Sequence, residues 1–180
     1  MRTSLLVLTL LVGGFFVGTN QVSAAVSGGA FVGNAAADLV VGAANADYNV
    51  SFDTNIAATA TTITLTFPVG YTITDGSLGT SAVCNNVGGC TTGFISVDGV
   101  NRSLDSVVGN AAGGTITLTL GIAYDLGTGT GTTFRVTSGI TNPTTSGATG
   151  TFTITDNAVA EVAESGIAAV TLTPEAATVL

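Results

Sequence analysis

Three stretches of this chain alternate threonine with an apolar residue: Thr62-Ile63-Thr64-Leu65-Thr66-Phe67, Thr115-Ile116-Thr117-Leu118-Thr119-Leu120 and Thr151-Phe152-Thr153-Ile154-Thr155. Successive side chains leave opposite faces of a β-strand, so this period of two predicts strands with one buried and one wet face. β-branched threonine is restricted at χ1 and suits the outer face. Ile63, Leu65, Phe67, Ile116 and Leu118 are therefore expected in a core, with Thr64, Thr66, Thr117 and Thr119 outside it. Tyr48-Asn49-Val50-Ser51-Phe52, Phe134-Arg135-Val136 and residues 168–173 repeat the script.

Turn chemistry agrees. Pro68-Val69-Gly70 follows one strand, and Val97-Asp98-Gly99-Val100 is a two-residue hairpin signal. Gly113-Gly114 precedes another strand, 127–131 reads as a loop, and Asn142-Pro143 with Ser146-Gly147 marks a further reversal. Helical spacing does not persist; its nearest approaches are the short runs 35–41 and 158–163. The strands resemble one another but recur at irregular intervals, which argues against a short-period solenoid. The expected fold class is all-β, a single sandwich of mostly antiparallel strands.

The chain has no His, Lys or Trp and three arginines. Without His there is no imidazole relay, general base or metal ligand, and without Lys no Schiff base. No catalytic or cofactor-binding residue can be assigned, and the expectation is a protein that is not an enzyme. Residues 1–24 read as a signal peptide: Arg2, an apolar run from Leu5 to Val17, then Val22-Ser23-Ala24 before a cleavage point at Ala25. That run is shorter than the ~20 residues a membrane span requires. Cleavage removes one arginine and no acid, so the net charge of −8 becomes −9. Such a balance disfavours nucleic acid and anionic membranes, and no membrane insertion is expected after cleavage. The expected location is secreted or at the cell surface.

Cys84 and Cys90 bracket Asn-Asn-Val-Gly-Gly. In an exported chain the default is a disulfide closing a small loop, worth about 2–3 kcal/mol, that pins the surface without holding the fold together. The eight aspartates sit mostly at strand ends and turns, where they cap backbone amides. No Asp-x-Asp-x-Asp-Gly loop is present, so no metal ligand is named, though hard oxygen ligands leave calcium as the ion to test. A sugar cleft lacks its usual aromatics. Asn49-Val50-Ser51 and Asn101-Arg102-Ser103 match glycosylation acceptors.

Phe67-Pro68-Val69-Gly70-Tyr71 and Gly139-Ile140-Thr141-Asn142-Pro143, in this order among the strands of 47–173, resemble an immunoglobulin-like module of secreted bacterial and archaeal surface proteins. In architecture the chain is also similar to secreted fibre subunits, the archaeal bundling pilins and TasA-type fibre proteins. That resemblance implies a sandwich that polymerises by donating a strand, and it carries no catalytic residues.

The expected organisation is a signal peptide (1–24), an N-terminal extended arm (25–46), a sandwich domain (47–173) and a short tail (174–180). The arm holds two apolar pieces, Phe31 and Val32, then Leu39, Val40 and Val41. It serves either as the first strand of its own sandwich or as a strand completing the sheet edge of the next copy. The expected function is a self-assembling structural subunit of an extracellular filament or surface layer, its partner being itself. The alternative is an adhesin or scaffold-docking module that recognises a protein or glycan through its loops.

Overall fold

The computed structural model describes residues 24–54, 59–86, 89–126, 131–158, 161–162 and 164–175. Residues 1–23 of the expected signal peptide (1–24), the glycine-rich loop at 127–130 and the end of the tail lie outside them; Ala24 begins β1. The strands are β1 (Ala24–Gly33), β2 (Tyr48–Thr54), β3 (Thr59–Thr66), β4 (Thr72–Ile73), β5 (Gly76–Ser77), β6 (Val83–Cys84), β7 (Phe94–Val97), β8 (Val100–Asn110), β9 (Thr115–Asp125), β10 (Thr132–Val136), β11 (Ile140–Thr141), β12 (Gly147–Ala148), β13 (Phe152–Asp156), β14 (Glu161–Val162), β15 (Glu164–Ile167) and β16 (Thr171–Leu172). The run at 35–41 contains a one-turn 3-10 helix, Ala36–Leu39.

Twelve strands form one hydrogen-bonded sheet, in the order β14-β1-β2-β10-β7-β8-β9-β3-β13-β15, with β5 and β6 as side branches. It folds back on itself as two facing leaves. The first is β1-β2-β10-β7, and the second is β9-β3-β13-β15. Strand β8 belongs to both: its beginning pairs with β7 and, beyond an irregularity between Leu104 and Ser106, its end pairs with β9. A bulge there bends the strand and lets one segment serve two leaves. On the far side, β14 lies parallel to β1 while β15 lies antiparallel to β13. The sandwich is therefore a flattened, nearly closed barrel, more continuous than two separate sheets.

The alternation places side chains as the period of two requires. Ile63, Leu65, Ile116, Leu118, Phe152 and Ile154 are buried, and their threonine neighbours lie outside, Thr151 exposed and the others at intermediate exposure. Tyr48, Val50, Phe52, Phe134 and Val136 close the core from the first leaf. The β7–β8 hairpin turns at Asp98 (φ 50°) and Gly99 (φ 77°), between the paired Val97 and Val100. Both residues occupy the left-handed region that a type I′ turn demands.

One expected strand is corrected. The run 168–173 is not one strand: β15 ends at Ile167, Thr171–Leu172 pairs with β12, and Thr173 bridges to Val40. Between them the Val170 N–H donates to Thr149 Oγ1 and the Val170 carbonyl accepts from the Thr149 N–H, so a side chain competes with the ladder.

The outer faces differ. On the second leaf the registers set Ser106, Thr119 and Thr62 in one row, Val108, Thr117, Thr64 and Thr155 in the next, and Asn110, Thr115, Thr66 and Thr153 in a third. On the first leaf the rows are Val32-Asn49-Arg135-Cys84 and Ala30-Ser51-Thr133-Ser96-Asn101. Cys84 and Ser96 point outward there yet are buried. The loop closed by the Cys84–Cys90 disulfide lies beside them. Asn85 Nδ2 fastens it by donating to Asn101 Oδ1 at 2.6 Å, and the Asn85 Oδ1 accepts from the Thr91 N–H.

Candidate assembly site

Five aromatic rings meet where the two leaves face each other. Phe152 of β13 touches Phe67, Tyr71 and Tyr48, with ring centroids 5.7, 5.6 and 6.4 Å away. Phe67 and Tyr71 lie 5.5 Å apart, and Tyr48 and Tyr71 6.1 Å. These four come from β2, β13 and the segment that follows β3, and they form a socket without help from β1. Phe31 enters it from β1, stacked on Phe152 at 4.3 Å with an interplanar angle of 10° and edge-on to Phe67 at 5.7 Å. Offset stacks and edge-to-face pairs of this kind add about 0.5–1.5 kcal/mol each beyond the area they bury.

Behind the socket is a buried polar node. The Tyr48 hydroxyl donates to Asn142 Oδ1 at 2.7 Å and shares a 3.1 Å contact with the Tyr71 hydroxyl. Burial pushes both tyrosines up from their ordinary pKa; a phenol in low dielectric resists ionising. Asn142 Nδ2 donates to the carbonyls of Asp38 and Val40, and its N–H to the Ala43 carbonyl. One side chain thus joins the aromatic cluster to the segment that follows β1. The two stretches that carried the family resemblance meet here, since a Cβ on Gly70 would stand 3.3 Å from Pro143. Their chemistry is that of a clamp.

Each residue of the expected arm can now be placed. Phe31 is buried in the socket, and Val32, on the opposite face of β1, is 53% exposed. Leu39 packs on the core across the backbone of Gly33, close enough that a Cβ there would meet Leu39 Cγ at 2.6 Å. Val40 and Val41 are held against Thr173: the Val41 N–H donates to the Thr173 carbonyl and the Thr173 N–H to the Leu39 carbonyl. Asp38 ties the connector together, accepting from the N–H groups of Ala35 and Asp47. Burial raises the Asp47 carboxyl pKa, opposed by Arg135 at 3.6 Å. β1 pairs with β2 of its own chain, so the segment serves here as a first strand.

Sequence reasoning missed the Tyr48–Tyr71–Asn142 node. Its only trace was an Asn-Pro pair, read as a turn. Nearby, a recess of about 270 Å³ opens between residues 67–71 and 111–114, with Val69 fully exposed on its rim. Among the described residues, no three His, Cys, Asp or Glu stand together as a metal site would require.

No protein-family model and no curated sequence matches the chain. Among solved structures it is similar to BslA, described as a bacterial hydrophobin, with a TM-score of 0.44 and 13% identity over 86% of this chain and 95% of that one.

Proposed function

We propose that this protein is a non-enzymatic structural subunit of an extracellular filament or surface layer, and that copies join by passing β1 from one molecule into the socket of the next. One observation carries the reading. The socket of Tyr48, Phe67, Tyr71 and Phe152 is complete among residues outside β1, and β1 fills it with a single plug, Phe31. A terminal strand that supplies one ring to a preformed socket can be supplied equally well by a neighbour, as in other β-strand additions. The main-chain bonds of β1 to β2 and the ring contacts are the same in either arrangement, so exchange changes connectivity and leaves the contacts intact. A location outside the cell follows from the reading of residues 1–24, and the lack of His and Lys supports a structural role over catalysis.

The test is a staple. Val32 and Asn49 are directly opposed on β1 and β2, so V32C/N49C should lock β1 into its own molecule. The stapled protein should stay monomeric under conditions where the wild type polymerises, and reduction should restore assembly, with reduced wild type as control for the native disulfide. Filaments built from the oxidised, stapled protein would sink strand exchange.

A binding module remains the second reading, favoured by the recess beside Val69. It expects a persistent monomer at high concentration and a ligand that Val69→Asp releases.

A further inference from the structure

The outer face of the second leaf is uncharged across eleven positions, eight of them threonine. The first leaf is different: its comparable rows contain one threonine and Arg135, its outward Cys84 and Ser96 are buried, Asn85 bonds Asn101 across it, and Arg135 pairs with Asp47. A need for solubility alone would act on both leaves alike. The threonine face is also open, and each of its threonines is partly exposed. Its side chains are preset: the hydroxyls of Thr64 and Thr117, neighbours on β3 and β9, lie 3.3 Å apart.

We infer that this face docks on the same face of a second copy, as the lateral contact of the assembly. The inference rests on the assembly reading for its setting. Charge selects the partner. Two copies of the cleaved chain, each of net charge −9, repel each other over about a Debye length, 8–10 Å, unless they meet where charge is absent. Among the described residues, the eleven positions bring no carboxylate or guanidinium to the contact, and the exposed Asp105, lying over Gly121 beside the row of Ser106 and Thr119, marks the edge of this uncharged patch. The first leaf has Arg135 within its rows. Twisted sheets pack face to face about 30° apart, interdigitating short side chains, and an isologous pair makes each threonine row its own complement. Size sets the strength. Each outward position covers about 32 Å², from a strand spacing of ~4.8 Å and a two-residue step of ~6.7 Å, so the face offers roughly 350 Å² a side against the ~800 Å² of a durable interface. A lone pair is therefore short-lived, and the contact holds only where a polymer presents it many times.

Thr117 sits mid-face, where a two-fold axis brings it against itself. In dilute protein under oxidising conditions, T117C should form a disulfide-linked dimer about ten times faster than T133C, which places the thiol on the first leaf. Added salt should accelerate T117C pairing by screening the repulsion. Equal rates for the two variants, or pairing slowed by salt, would overturn the inference. Retention of T117C on insoluble polysaccharide, with no dimer formed, would overturn it in favour of a glycan surface. In a second variant, T64E/T117E, circular dichroism reports the fold, and lateral bundling of its filaments should be lost; a folded variant that bundles normally also counts against it. The staple experiment reads strand exchange alone. If stapling fails to stop assembly while T117C still pairs, the lateral contact stands and strand exchange does not.

Discussion

The two leaves share one core and treat water differently. The first is dressed on its outside: the Cys84–Cys90 loop fastens to Asn101, Arg135 donates to Asn34 Oδ1 and pairs with Asp47, and Cys84 and Ser96 are buried although they point outward. The second is bare, with rows of threonine between strands that bury Ile63, Leu65, Ile116 and Leu118. The same alternation underlies both. Whether an outward position ends up wet depends on what the loops do afterwards, so a pattern that says which way a side chain points does not say what covers it.

The largest effect is expected where the leaves meet. Phe152 is fully buried and touches four other rings, so Phe152→Ala should destabilise by about 3–5 kcal/mol in urea unfolding. Leu118→Ala, inside the second leaf only, should cost about 2–5 kcal/mol. A small loss at Phe152 beside a large one at Leu118 would mean that the second leaf is stable without the first.

The buried tyrosines give the next effect. Tyr48→Phe removes the donor to Asn142 and should cost about 1–3 kcal/mol through an unsatisfied buried amide. Both tyrosine pKa values are raised above 10.0 by burial. The stability this represents is therefore complete below that pH and is lost as the pH climbs above it, because the unfolded chain ionises first. Denaturation midpoints should fall above about pH 10 and fall less steeply in Tyr48→Phe. A midpoint flat to higher pH would show the two hydroxyls to be solvent-accessible.

The smallest effect belongs to the bare face. Thr117→Val and Thr117→Ser should change stability by no more than about 0.5 kcal/mol. A loss above 2 kcal/mol at Thr117 would put that residue inside the fold and reverse the contrast between inner and outer rows.

Much of this architecture was legible one strand at a time. The Thr-Ile-Thr-Leu run set which residues of β3 and β9 face the core, and Asp98-Gly99 set a hairpin with both residues at positive φ. The pairing of the only two cysteines followed from their number. These features depend on neighbours a few bonds away, where sterics and side-chain direction act through the local backbone alone.

The candidate site was not legible in that way. Phe31 was named as part of an arm, but nothing near it announces a socket built from Tyr48, Phe67, Tyr71 and Phe152. Asn142 meets Tyr48 across 94 residues and Asp38 across 104. Gly109 looks like a weak point in a strand, yet a Cβ there would come within 2.0 Å of the Thr74 carbonyl, so its glycine makes room for a loop. By itself the sequence determined the class of fold, the direction of the side chains on β2, β3, β9, β10 and β13, and the tight hairpin at Asp98-Gly99. Only the tertiary structure decided that β8 would cross between leaves, that β1 would plug a socket, and that one threonine face would stay open. The physical reason is distance along the chain: alternation is set by covalent neighbours, whereas partners are chosen by which distant surfaces bury one another best.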